Sequence, residues 1–254
     1  MTSVAALPDD LLPLLSLNGP APATDTLTVI DSSDGRMVGA DALNYLRALG
    51  ERLERAGSIE VVGLTTAGER CVAELAGGTD ATPVQTAAVV VVRAAEGSVA
   101  EVRTYSQRAA EAPRSPAGPV RSVPQSAATP GGVVGDYLAA VEREDIEDAL
   151  ACFEPDDCSI TEPDGTVHVG LPRLRSFYEW FFSIDPGGRK LEICAVTDDG
   201  IRCALEWCSV LTEASPLPQS GLAVYERAAT GRLRSFRLYT DRPAALGAPD
   251  FTSG

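Results

Sequence analysis

Histidine is almost missing from this chain: of 254 residues only His168 is one. The six cysteines, Cys71, Cys152, Cys158, Cys194, Cys203 and Cys208, contain no Cys-x-x-Cys pair. A zinc cage draws several such ligands from short spacings, so no metal centre is expected. The thiols read instead as reduced, mostly buried residues of a cytoplasmic protein. Positive charge is also scarce, with 21 Lys and Arg against 36 Asp and Glu and a net charge of −15. That excess repels nucleic-acid phosphates and anionic membrane surfaces alike. No run approaches the ~18 apolar residues of a membrane span. The opening MTSVAALPDDLLPLLSLNGP has no basic region and is interrupted by Pro8, Asp9 and Asp10, so it reads as neither signal peptide nor span. No glycine loop has a phosphate-cradling pattern, and His168 has no partner serine for a nucleophilic triad. Asp156 and Asp157 read as turn residues. Aromatic residues make up 6% and hydrophobic residues 44%, enough for a core built mainly from Ala, Val and Leu. The length suits two domains of middling size.

What is present is repetition. Asp31–Gly39, DSSDGRMVG, matches Thr161–Gly170, TEPDGTVHVG. IEVVGLTTAGERCVAEL from Ile59 matches LEICAVTDDGIRCALEW from Leu191, and VVVVRAAEGSVAEVRTYSQR from Val89 matches LAVYERAATGRLRSFRLYTDR from Leu222. The later blocks share Arg-Cys-x-x-Glu and then Arg-x-Tyr-x-x-Arg. Three blocks in one order make two copies of one unit. Between them, residues rich in Ala, Pro, Ser and Gly read as a flexible linker. The domains are therefore 1–108, a linker 109–132, and 133–246.

The second copy is the easier to read. Val133–Phe153 has helical apolar spacing with a break near Glu144. A short strand is expected at Cys158–Glu162, then a Pro163-Asp164-Gly165 turn. A second amphipathic helix spans Arg173–Phe182. Four strands follow at about Lys190–Val196, Ile201–Thr212, Gly221–Arg227 and Arg232–Thr240. Helices followed by a strand meander predict an α+β fold: two tandem cone-shaped domains, each a curved antiparallel sheet with helices packed on its concave face. The first copy lacks the long leading helix, since only Pro8–Leu17 precedes its first strand.

DYLAAVEREDIEDALACFEPDDCSITEPDG followed by GLPRLRSFYEWFF resembles the nuclear transport factor 2-like superfamily, including SnoaL-like polyketide cyclases and ketosteroid isomerase. The resemblance covers nearly all of Val133–Pro243 and, more weakly, Asp31–Arg108. It implies that Glu162 stands at the general-base carboxylate and Tyr137 at the oxyanion-binding tyrosine. It also implies a second oxyanion donor near Gly221–Tyr225, where the best match is Ala223, so that donor is missing. A steroid-type enolate would lose much of its stabilisation there. In the first copy Ser32 is matched to Glu162, and no tyrosine matches Tyr137.

Strand alternation puts Cys203, Leu205, Trp207 and Phe236 on an inner face with the helices. Arg202, Glu206, Arg237 and Tyr239 fall on the outer face, as do Arg70, Glu74, Arg103 and Tyr105 in the first copy. These outer faces are expected to meet each other within the chain, or a second chain. Glu192 shares a face with Cys194 and Val196. If that face is the inner one, Glu192 can serve as an acid opposite Glu162, as the polyether epoxide hydrolase/cyclase branch implies; otherwise it is an exposed edge residue. His168 reads as a surface histidine near the pocket mouth, or as an auxiliary acid or base. The expected substrate-binding wall is Phe177, Tyr178, Phe181, Cys203, Leu205, Trp207, Ala223, Tyr225 and Phe236, with His168. The expected function is cofactor-independent isomerisation or cyclisation of a hydrophobic small molecule, a polyketide-like ketone or epoxide. Glu162 would be the base, Tyr137 the donor and Glu192 the acid. The alternative is a non-catalytic binding or scaffold protein with a degenerate pocket.

Overall fold

A computed structural model describes residues 27–32, 34–56, 59–77, 85–94, 97–107, 128–183, 191–209 and 220–241. Residues 109–127 of the expected linker and the segment bearing on a leading first-copy helix lie outside these residues; the linker's last residue, Gly132, instead opens a helix.

Each half contains a short hairpin. In the first it is β1 (Thr28–Asp31) with β2 (Gly35–Val38), followed by helix α1 (Ala40–Ala56). Four longer strands follow: β3 (Ile59–Ala67), β4 (Arg70–Gly77), β5 (Gln85–Arg93) and β6 (Val99–Ser106). The second half places α2 (Gly132–Glu142) and α3 (Ile146–Ala151) ahead of its hairpin, β7 (Ser159–Thr161) and β8 (Val167–Val169), which leads into α4 (Leu171–Ser183). Strands β9 (Leu191–Asp198), β10 (Arg202–Ser209), β11 (Ser220–Arg227) and β12 (Leu233–Thr240) complete it. The two six-stranded sheets have one order, β2-β1-β6-β5-β4-β3 and β8-β7-β12-β11-β10-β9.

Two features differ from the sequence reading. The sheets are mixed, because β1 runs parallel to β6 and β7 parallel to β12. Strands β2 and β8 were also unforeseen; a strand of three or four residues is too short to show a period. The helix break near Glu144 is present. Glu144 takes φ 56°, and Asp145 restarts the chain as an N-cap, accepting from the Asp148 N–H at 3.0 Å. Among the described residues no helix is long and apolar enough to cross a membrane.

Each sheet packs one face on its own helices. In the first half Leu43, Leu46, Leu49 and Leu53 recur down one side of α1 and bury against Ala73, Val89 and Val91. In the second, Val134, Tyr137, Leu174 and Phe177 bury against Leu205, Ala223 and Phe236. The other faces meet each other. Val72, Ala88, Val90 and Tyr105 pack against Ala204, Leu222, Val224 and Tyr239. Strand β10 is thus buried on both sides.

That contact carries charge. Arg103 Nε and Nη2 donate to the two oxygens of Glu206 at 2.6 and 2.7 Å, and the Tyr105 hydroxyl donates to Glu206 at 2.6 Å. The mirror-related set joins Arg237 to Glu74 at 2.6 and 2.9 Å, with the Tyr239 hydroxyl donating to Glu74 at 2.8 Å. Burial pulls the pKa of Arg103 down, but the hydrogen bond and charge of Glu206 outweigh it and hold it above its ordinary value. Gly63 makes room for Glu74: a Cβ there would lie 1.9 Å from a Glu74 carboxylate oxygen.

Replacing Arg103 with Met strands the Glu206 carboxylate, so a loss of about 3–5 kcal/mol is expected in urea unfolding. Arg103→Met with Glu206→Leu should recover most of it. A single variant as stable as the parent would mean that water reaches Glu206 between the sheets.

Candidate functional site

The second half holds a cavity of about 80 Å³ between its helices and the inner sheet face. Its wall is Tyr137, Leu138 and Val141 from α2, Phe177, Tyr178 and Phe181 from α4, Pro163 from the β7–β8 turn, and Leu191, Trp207, Ala223, Tyr225, Phe236, Leu238 and Thr240 from the strands. Phe236, Leu238 and Thr240 alternate along β12, as inward residues of a strand must. Tyr225 and Phe236, opposite one another on β11 and β12, stack with ring centroids 4.8 Å apart and planes within 2°.

The polar side-chain groups of this wall are the hydroxyls of three tyrosines and Thr240 and the indole N–H of Trp207. Tyr178 donates to the Tyr137 oxygen at 3.0 Å, and Thr240 donates to the Ser220 carbonyl at 2.7 Å. Burial raises the pKa of Tyr137; burial and the nearby Tyr137 raise Tyr178 well above its usual value, and Tyr225 rises for the same two reasons. All three keep their protons near neutral pH and act as donors, not bases. Burial also pushes the Cys203 thiol up to about 12, which removes it as a nucleophile.

Glu162 sits where β7 ends. Its N–H donates to the Thr166 carbonyl at 2.8 Å, and Gly165, at φ 89°, returns an N–H to the Glu162 carbonyl at 2.9 Å. This tight turn brings β8 back so that His168 lies opposite Ile160. Glu162 is 1% exposed and His168 3%, and Glu162 Oε1 lies 2.7 Å from His168 Nε2. The His168 ring packs 5.2 Å from Phe177. The carboxylate and imidazole therefore form a buried pair adjoining the cavity wall at Phe177 and Pro163.

Several sequence expectations change. His168 is buried and paired, not at the surface. Cys203 and Leu205 are fully buried in the core and do not border the cavity, and neither His168 nor Glu162 forms part of its wall. Glu192 turns away from it. A β-bulge interrupts the β9–β10 register between Trp207↔Ile193 and Glu206↔Ala195, so Glu192 pairs with Cys208 on the outer face while Leu191 reaches the cavity. The match of Ser32 to Glu162 shifts by one residue. Ile30 pairs with Arg103 as Thr161 pairs with Arg237, which puts Asp31 at the place of Glu162. Asp31 is buried, and its carboxylate receives the Tyr45 hydroxyl at 2.5 Å, the Thr104 hydroxyl at 2.7 Å and the Asp34 N–H at 2.9 Å. Met37 stands where the second half has His168.

Of the expected wall, Phe177, Tyr178, Phe181, Trp207, Ala223, Tyr225 and Phe236 do meet at one cavity with Tyr137. The reading missed the pairing of Glu162 with His168. Its signal was a hairpin turn short enough to bring two residues six apart onto one face.

Residues 134–236 match the family model of the SnoaL-like domain. Solved structures with similar folds include an NTF2-like protein of unknown function from Burkholderia pseudomallei, 19% identical over 43% of this chain and 88% of that one, with a TM-score of 0.38. A putative polyketide cyclase from Sinorhizobium meliloti is 17% identical over 42% of this chain and 92% of that one, TM-score 0.35. SalBIII, an epoxide hydrolase/cyclase-like enzyme in pyran ring formation in the polyether salinomycin, is 16% identical over 42% and 87%, TM-score 0.37. No curated protein matches the chain.

The tyrosines make an alkaline prediction. Their folded pKa values lie above the ordinary 10.0, so the stability they supply is whole below pH 10 and is lost as pH rises beyond it. Tyrosinate absorbance from Tyr137, Tyr178 and Tyr225 should therefore grow in step with loss of the circular dichroism signal. Full ionisation of all 6 tyrosines with native dichroism intact would show that the cavity is open to water.

Proposed function

We propose that the second half is a cofactor-independent acid–base catalyst, an isomerase or cyclase, for a hydrophobic small molecule such as a polyketide-like ketone or an epoxide. The observation that carries this reading is the buried Glu162, 2.7 Å from His168, whose ring packs on the Phe177 that walls the cavity of Tyr137. A carboxylate within reach of a bound substrate can take its proton, and a protonated tyrosine in an apolar pocket is a strong hydrogen-bond donor.

With a ketone, Glu162 takes the proton beside the carbonyl while Tyr137 donates to the oxygen that gains negative charge. The same proton then returns to another carbon, and the enzyme is unchanged. With an epoxide, Tyr137 gives its proton to the ring oxygen as the C–O bond breaks, Glu162 takes the proton of the attacking hydroxyl, and that proton then passes to Tyr137 to restore the enzyme. Ala223 supplies no second donor, so the stabilisation of an enolate rests on Tyr137, backed by Tyr178. Glu192 faces away, and the acid role first expected for it is not part of this mechanism. The cavity of about 80 Å³ is below the ~150 Å³ that admits benzene in an apolar core, so a substrate must displace wall side chains such as Phe181 and Leu138. The six free thiols and the charge of −15 fit a cytoplasmic protein with a small-molecule partner.

The alternative is a binding protein without turnover, favoured by Ala223 at the missing donor and by the small cavity. A panel of hydrophobic ketones and epoxides separates the two. Glu162→Gln should lower turnover by ~10²–10⁴-fold and Tyr137→Phe by ~10²-fold, while Glu192→Gln leaves it unchanged. Ligands that quench Trp207 fluorescence yet are never converted would favour the binder. Full activity in Glu162→Gln would end the catalytic reading.

A further inference from the structure

We infer that Cys194 and Cys208 are a site of reversible disulfide formation, and that the bond fastens the paired ends of β9 and β10 from which Leu191 and Trp207 wall the cavity. The Cys194 thiol donates to the Cys208 sulfur at 3.5 Å. The bulge in β9 makes this contact. Cys208 lies opposite Glu192, so Cys194, two residues further on, is its diagonal neighbour. In a regular antiparallel ladder such neighbours stand ~7–8 Å apart. Here the register passes from Trp207↔Ile193 to Glu206↔Ala195, and Cys194 is the extra residue of the bulge, turned onto the outer face beside Cys208. A disulfide is ~2.05 Å long, so the two sulfurs need only ~1.5 Å of further approach.

Cys194 is 5% exposed and Cys208 7%, which leaves an edge of each open to a small oxidant such as hydrogen peroxide. One sulfur, as thiolate, attacks a peroxide oxygen; the O–O bond breaks, the sulfur becomes a sulfenic acid and the other oxygen leaves as water. The second thiol attacks that sulfur, the S–O bond breaks and a second water leaves. Two thiols and one peroxide thus give one disulfide and two waters, the sulfurs losing the two electrons that the peroxide gains. A dithiol reductant reverses the change. Burial pushes the Cys71 thiol up to about 11 and Cys203 up to about 12, and raises Cys152 and Cys158 as well, which slows the reaction of these four with peroxide. The consequence falls on the cavity. Trp207 precedes Cys208 and pairs with Ile193 beside Cys194, and Leu191, which opens β9, borders solvent at 36% exposure as well as the cavity. A bond between the sulfurs restrains the part of the wall that these residues supply, whether the cavity converts its ligand or only binds it.

Mild oxidation of the full chain with hydrogen peroxide tests both parts. The 6 thiols, titrated after unfolding, should fall to 4 (6 − 2), with a mass lower by two hydrogens, and a peptide map without reductant should join Cys194 to Cys208. The closed loop holds 15 residues (208 − 194 + 1), so opening of residues 191–209 should become ~10²-fold rarer. That change is read as slower amide hydrogen exchange in those residues, restored by dithiothreitol. Cys194→Ser, oxidised in the same way, should form no such crosslink and keep its exchange rates. If Cys194→Ser fails to fold, the peptide map and exchange of the parent decide alone. A map that joins other cysteines, oxygen added to Cys194 or Cys208 in place of a crosslink, or a crosslink that leaves exchange in residues 191–209 unchanged overturns the inference. Equal slowing in oxidised Cys194→Ser overturns it too.

Discussion

Four charges lie in the dry contact between two sheets, and the rest of the molecule is arranged around keeping them paired. Isolated, each would cost several kcal/mol to bury. Here each carboxylate takes a two-pronged arginine and a tyrosine hydroxyl, so both of its oxygens are hydrogen-bonded. The constraint reaches into local structure. Gly63 must lack a side chain for Glu74 to lie flat. Strands β4 and β10 must be buried on both faces, which explains why Arg-Cys-x-x-Glu alternates polar and apolar residues while exposing few of them. It also leaves each half only one sheet face to give to its own helices.

Between the halves, the same scaffold treats one carboxylate in opposite ways. In the first, Asp31 is surrounded by donors from Tyr45, Thr104 and a backbone amide, and the helix above it supplies leucines. In the second, Glu162 meets an imidazole, and the helices above it supply aromatic rings and hydroxyls around a cavity. The Asp31 carboxylate is held by three donors, whereas that of Glu162 is held by an imidazole beside a cavity lined with tyrosine hydroxyls. Met37 for His168 is the substitution that separates the two settings at this hairpin.

Much of this was legible because it follows from periods and turns. The break at Glu144, the Pro163-Asp164-Gly165 turn, the inward Phe236 and Leu238, and the outward Arg and Glu residues are all read from spacing. What escaped reading lies where spacing carries no information. Strands β2 and β8 are too short to show alternation, so the contact of His168 with Glu162 stayed hidden. The bulge in β9 reverses the parity of everything before it, which turned Glu192 outward without any mark in LEICAV. Aligning the repeated Asp-Gly turns matched Ser32 to Glu162, whereas the pairing of β1 with β6 aligns Asp31. The parallel pairings of β1 and β7 depend on strands some seventy residues away, beyond the reach of local pattern.

That last pairing has a consequence for biosynthesis. Strand β7 is held by β12, which ends at Thr240, so the hairpin bearing Glu162 and His168 has no sheet to join until β12 has been made. The first half is complete at Ser106, 134 residues earlier (240 − 106). At translation rates of ~5–20 residues per second this interval lasts roughly 7–27 s. During that time Val72, Val90 and Tyr105, with the charges of Glu74 and Arg103, have no cover. A nascent chain in this condition is open to the first halves of its neighbours on the same message. The acidic surplus that repels one chain from another is then a safeguard during synthesis as much as a property of the finished protein.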